Sequence, residues 1–256
     1  MRVRILLASG CVVTACAMAC SAQATKAPLT LSQQDMAAAQ FWFQHYFSRD
    51  SMTLYDAPVT FPDGARGFEL TPGYVDHAME VGPIQPTDAQ SQIRAQYCNS
   101  PLVVIAHAND QITVLASNKK AIFTVTRFII ERVLRKDSHL KSGDPITTID
   151  FGGTFRDDNG VLLRIVFKGD TYFAKDKSYL LYLIKVHNST AYFPDAERTE
   201  VTNGQLYSSG RLGDTMIPTT IKPGETFDEY WKAFKDDFHV HGCYEYHETN
   251  IFNELP

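Results

Sequence analysis

The stretch Ile122-Phe-Thr-Val-Thr-Arg-Phe-Ile-Ile-Glu-Arg-Val-Leu134 decides the fold class. In an extended chain successive side chains project to opposite sides. Here Phe123, Val125, Ile129 and Val133 alternate with Thr124, Thr126, Phe128, Ile130 and Leu134, so both sides are largely apolar. A strand that faces water on one side reads apolar-polar in strict alternation, so one that is apolar on both sides must be covered on both. Its length also exceeds the usual ~5–6 residues, which suits the long coiled strand of a small closed barrel.

The sequence around it keeps the same texture. Leu102–Ala106 and Ile112–Ala116 are two shorter apolar runs upstream, and Ser142-Gly-Asp-Pro145 turns the chain into Ile146–Phe151. Asp158-Asn159-Gly160 is a hairpin signal joining Thr154–Arg156 to Val161–Phe167. Ser178–Val186 is again apolar on both faces, and Asn203-Gly204 offers a further hairpin between Thr199–Thr202 and Gln205–Tyr207. Strands at this spacing with no helices between them predict a mainly β fold, an antiparallel barrel over residues 101–210.

Two helices flank it. Ser32 with Asp35 three residues on opens a helix over 32–47 whose Phe41, Trp42, Phe43, Tyr46 and Phe47 make it aromatic nearly all round, the mark of a core anchor. Thr226 and Glu229 form a capping box for a second helix over 226–238, where Phe227, Tyr230, Trp231, Phe234 and Phe238 recur at helical spacing. Between the first helix and the strands, residues 53–90 carry five prolines and four glycines, too close together for regular elements to grow. This predicts an irregular wrap within an N-terminal region of residues 25–100, a brief helical turn at Thr87–Tyr97, and a C-terminal region of residues 211–256 that holds the second helix and a His-rich tail.

Residues 1–24 read as a secretory signal peptide: Arg2 and Arg4, an apolar run from Ile5 to about Ala19, then Ala22-Gln23-Ala24. Lipid attachment at Cys20 is the competing route, although the residues before it lack the large aliphatic such signals usually carry. The reading implies export, periplasmic or extracellular, with no transmembrane segment left after cleavage. Removing Arg2 and Arg4 leaves 22 basic against 29 acidic side chains, a formal charge of −7, which argues against nucleic acid as a partner. Of five cysteines, Cys98 and Cys243 remain, and an even pair in an oxidising compartment predicts one disulfide.

The familiar catalytic motifs are missing: no phosphate loop, no dinucleotide glycine fingerprint, no nucleophile elbow. His247-Glu248 starts like a zinc-protease helix, but Ile251 stands where the second histidine belongs. Asp157-Asp-Asn159-Gly160 resembles part of a calcium loop without its closing glutamate and reads better as the hairpin turn. His77 beside Asp76, and His187, read as solvated loop residues, and Asn188-Ser-Thr190 fits either a glycosylation acceptor or a plain turn. The tail carries the one constellation of interest. His239, His241, Cys243, Glu245 and His247 alternate at a period of two, so in an extended strand they share a face, and His239, His241 and His247 become candidate ligands for zinc or copper. The competing reading commits Cys243 to the disulfide and leaves the tail a polar chain end.

The run LVVIA, FTVTRFIIERVLR, SGDPITTI, Gly152-Gly153 and YLLYL between Leu102 and Val186 resembles the OB-like barrel of netrin-type modules and tissue inhibitors of metalloproteinases, and more closely a group of secreted bacterial proteins with this strand pattern. The resemblance covers about 85–105 residues and implies a binding-module scaffold. In the inhibitors a mature N-terminal cysteine chelates the target's zinc, whereas the start expected here is Thr25, so that chemistry does not carry over. The resulting expectation is a non-catalytic binding module that contacts an unidentified protein or envelope ligand through 53–90 and the barrel loops. Its alternatives are a metal-dependent hydrolase, with the tail histidines as ligands and Glu245 or Glu248 as base, and a structural envelope protein.

Overall fold

The computed structural model describes residues 28–46, 52–70, 93–94, 97–98, 100–135, 139–167, 172–186, 189–208 and 224–243. The signal-like segment, Cys20, Asp76, His77, His187, Asn188 and everything after Cys243, His247 included, lie outside them. The described chain is mainly β, with two long helices: α1 (Gln33–Tyr46) and α2 (Phe227–His241).

Among the described residues ten strands form two sheets. β1 (Val59–Thr60), β2 (Arg66–Leu70), β7 (Leu162–Phe167) and β6 (Gly153–Arg156) lie in that order in the smaller. In the larger the order is β10 (Gln205–Ser208), β9 (Tyr192–Thr202), β5 (Pro145–Phe151), β4 (Ile122–Arg135), β3 (Leu102–Leu115) and β8 (Ser178–Lys185), with β8 also paired to β9. Neighbours are antiparallel except β2–β7 and β5–β9.

Four expectations need correction. Leu102–Ala106 and Ile112–Ala116 are not two strands but the halves of β3, because the polar residues between them are absorbed as bulges, with register shifts that include Ala108 to Asp110. Residues 53–90 are not irregular throughout. Two of the glycines there serve the pairing: Gly64 turns β1 into β2 at φ 82°, and a β-carbon on Gly67 would collide with the carbonyl oxygen of Arg164 on β7. Residues 71–90 lie outside the described residues. The β6–β7 hairpin leaves the proposed barrel region for the smaller sheet, the chain turning at Gly152 and Gly153 with φ 91° and 126°. Finally, the larger sheet is not closed into a barrel: β5 and β9 meet in a single residue pair, Thr148 with Tyr192.

Double-sided burial of the long strands has two causes. One face of β3 and β8 (Leu102, Val104, Ala106, Leu181, Leu183) packs on Phe128, Ile146, Phe173 and Tyr179 inside the larger sheet. The opposite face (Val103, Ile105, Leu180, Tyr182) packs under α2, on Phe227, Tyr230, Trp231 and Phe234. A third cluster joins α1, through Ala39, Trp42 and Phe43, to Phe68 and Leu70 of β2, Ile165 of β7 and Phe123 and Phe151 of the larger sheet.

Candidate functional site

The disulfide and two of the tail histidines, His239 and His241, lie at the end of α2. Thr226 caps the helix: its hydroxyl accepts from Glu229 N–H, and the Glu229 carboxylate accepts from Thr226 N–H at 3.0 Å. The box holds the Glu229 carboxyl below the usual range, the backbone bond at Thr226 contributing most. At the other end Gly242 caps the helix with φ 65°, its N–H on the Phe238 carbonyl, and Cys243 is joined to Cys98 in a disulfide. The helical turn holding Cys98 is fastened to α2 twice more. Arg94 pairs with Asp237, and the Tyr97 ring sits 4.9 Å from Phe234 and 5.2 Å from Phe238 while the Arg135 guanidinium covers it.

The extended strand invoked for the tail is not present as far as His241, because α2 continues through that residue. Residues two apart on a helix diverge by about 200°, so His239 and His241 point away from each other. His241 Nδ1 lies 3.1 Å from Asp237, one turn back. Among the described residues no three His, Cys, Asp or Glu side chains gather as a metal set.

A second location lies where α1 crosses the smaller sheet. Phe43, Gln44, Met52, Phe68, Leu70, Lys120 and Ile165 line a shallow, mostly apolar depression. Phe41, on the outer side of α1, is 43% exposed, and Met52, which lines the depression, is 47% exposed. Reading all the α1 aromatics as core anchors holds for Trp42 and Phe43, which are buried, and misses Phe41. The signal was available: Ala39, Trp42 and Phe43 share one helical stripe, and Phe41 falls off it.

A third grouping had no sequence signature, since its members come from three strands. His107 on β3 and Ser178 on β8 are register partners, and Ser178 donates to Glu131 Oε1 on β4 at 2.8 Å with His107 Nδ1 3.3 Å from its oxygen. A serine nucleophile needs the imidazole between hydroxyl and carboxylate. Here the serine lies between the other two, both half-exposed, so the order is wrong for that chemistry. Beside it Glu200 is held below the usual carboxylate range, chiefly by the Lys177 ammonium at 2.6 Å, and Lys177 is raised in return.

A buried ion pair is structural in position: Arg198 on β9 grips Asp150 on β5 through both oxygens, at 2.8 and 3.3 Å, with both side chains almost wholly buried. Its guanidinium lies 4.3 Å from the Phe173 ring centre. Among the described residues no helix is long and apolar enough to cross a membrane. No protein-family model matches the chain, and no curated protein matches it.

Proposed function

We propose that the protein is an exported, non-catalytic binding module built on an OB-like barrel. The observation that carries this reading is the circuit of strand pairings β3–β4, β4–β5, β5–β9, β9–β8 and β8–β3, four of them antiparallel and β5–β9 parallel. A five-stranded, partly open barrel is the architecture of OB modules, which bind ligands at their surface. The single β5–β9 residue pair is supplemented by the Asp150–Arg198 bridge between the same two strands. Export rests on the N-terminal pattern of Arg2, Arg4 and the Ala22–Ala24 triplet, and agrees with the Cys98–Cys243 bond.

The contact surface we assign is the α1 side, where exposed Phe41 and Met52 accompany the apolar depression and its cation, Lys120. The chain beginning at Thr25, immobilised and exposed to envelope extract, should retain a partner. Phe41→Asp with Met52→Asp should abolish retention without lowering the melting temperature. Retention unchanged in that variant removes this surface from consideration, and turnover of a hydrolase substrate by the metal-loaded protein overturns the non-catalytic reading.

A further inference from the structure

Among the described residues, the terminal strands of the smaller sheet and the β10 end of the larger one are short. β1 is two residues long, and β6 is a four-residue strand with Gly153 at one end and Arg156 at the other. The outer side of β10 is partly occupied, through Leu206 N–H on the Glu225 carbonyl at 3.0 Å and a bridge from Gln205 to Thr226. β3 is different. β4 pairs along almost its whole length, but β8 flanks its other side only from Leu102 to His107. Two bonds finish that pairing, Ala108 N–H to the Lys177 carbonyl at 2.8 Å and Asp176 N–H to the Ala108 carbonyl at 2.7 Å, and the chain turns at Asp176 with φ 64°.

Among the described residues, the main chain of residues 111–115 is hydrogen-bonded to β4 alone. β6 does not fill the other side. Its Gly153 lies over side chains of Thr113, Ile122 and Thr124, across the face of the sheet instead of along its edge. The open segment reads Gln111-Ile-Thr-Val-Leu115, β-branched at three positions, with neither the charge nor the proline that usually keeps an edge strand from pairing.

We propose that this edge pairs antiparallel with the same edge of a second copy of the chain, about a two-fold axis through Thr113. That register sets Ile112 opposite Val114 and Gln111 opposite Leu115, so each strand meets its own sequence reversed, as an isologous interface requires. Charge favours the same arrangement. Asp110 falls opposite Ala116 of the second copy, next to the turn that carries its Lys119 and Lys120, and the symmetric contact repeats at the other end. Main-chain bonds supply attraction and the alternating side chains fix the register. The proposal does not depend on the binding-module reading, because it rests on the main-chain edge of β3, although the Lys119–Lys120 turn borders the depression assigned there.

Sedimentation of the chain from Thr25 tests it: the mass should double between low and high protein concentration. Adjacent residues of a strand point their N–H groups to opposite sides, so one of Ile112→Pro and Thr113→Pro removes a donor facing away from β4 and the other breaks the β3–β4 ladder. The first should keep a melting temperature near that of the parent and stay monomeric at every concentration. Asp110→Lys should shift the equilibrium toward monomer, and adding Lys119→Glu should restore it. If neither proline variant folds, hydrogen exchange on the parent chain decides: half of the amides in 111–115 should exchange more slowly at high concentration. A parent that remains monomeric, a dimer that survives both the folded proline variant and Asp110→Lys, or exchange independent of concentration overturns the proposal.

Discussion

Asp150 and Arg198 are the two side chains whose loss should be felt most per atom removed. Each is nearly inaccessible to water, and each neutralises the other through a two-point contact that links strands joined by only one residue pair. Removing one partner strands a charge in a poorly solvated place, which costs about 3–5 kcal/mol, whereas removing both exchanges the pair for packing. Asp150→Asn and Arg198→Met should therefore each lower stability by that order, and the double variant should be less damaged than the two effects added. Urea unfolding of the four proteins measures this, and strict additivity would show that the two side chains act independently. Neither residue stood out in the sequence, because an Asp in one strand and an Arg 48 positions later announce nothing until the strands meet.

At the scale of an element, α1 shows how a local motif becomes a tertiary one. Ser32 and Asp35 exchange capping bonds, Asp35 N–H to Ser32 Oγ at 3.0 Å and the Ser32 hydroxyl to Asp35 Oδ2 at 2.6 Å. The other carboxylate oxygen accepts from the Ser189 hydroxyl and from Thr190 N–H, so the start of α1 is fastened to the turn between β8 and β9. Burial pushes the Asp35 carboxyl up, but the bonds from Ser189, Ser32 and Thr190 outweigh it and hold the group below its ordinary 3.8. A carboxyl depressed in the folded state contributes its full stabilisation above the unfolded value and loses it as pH falls through the folded one. Asp35→Asn should cost about 1 kcal/mol near neutral pH, the difference between charged and neutral hydrogen bonds, and that gap should narrow as the pH falls below the ordinary carboxyl range and through the lower folded-state value. Denaturant midpoints of the two proteins at pH 7 and pH 2.5 check it, and parallel profiles would refute it.

Across the whole molecule, Cys98 and Cys243 are 145 residues apart, so their bond closes a loop of more than half of the chain. The chain-entropy model gives about 5 kcal/mol for a loop of that size. α2 has a second hold, however: Phe227, Tyr230, Trp231 and Phe234 are buried, and each such side chain contributes ~1.5–3 kcal/mol. Reduction should thus lower the melting temperature without releasing the helix at 25 °C. The chain from Thr25, denatured and unreduced, should titrate no thiol, and dithiothreitol should leave tryptophan emission near its native wavelength while the melting curve shifts down. A red-shifted emission on reduction at 25 °C would mean that the disulfide alone holds α2 in place.

What could be read from the sequence was whatever depends on neighbours along the chain. The capping pairs Ser32/Asp35 and Thr226/Glu229, the aromatic stripe of α2, the Asp158–Gly160 turn and the two-faced strand Ile122–Leu134 are all local patterns, and a mainly β chain with a helix toward each end follows from them. The Cys98–Cys243 pair was legible for another reason, since only two cysteines follow the signal-like segment. Tertiary structure alone decided the rest. Leu102–Ala106 and Ile112–Ala116 look like two separate runs until β4 offers a partner to both, when a bulge at Asn109 keeps the longer ladder intact. Gly67 looks like a breaker until β7 passes so close that only glycine fits. His239 and His241 share a face in a strand and diverge in a helix, and the helix extends through them to its cap at Gly242, where the chain reaches Cys98. In each case the sequence offered two conformations of similar local merit, and contacts with residues far away in the chain selected one.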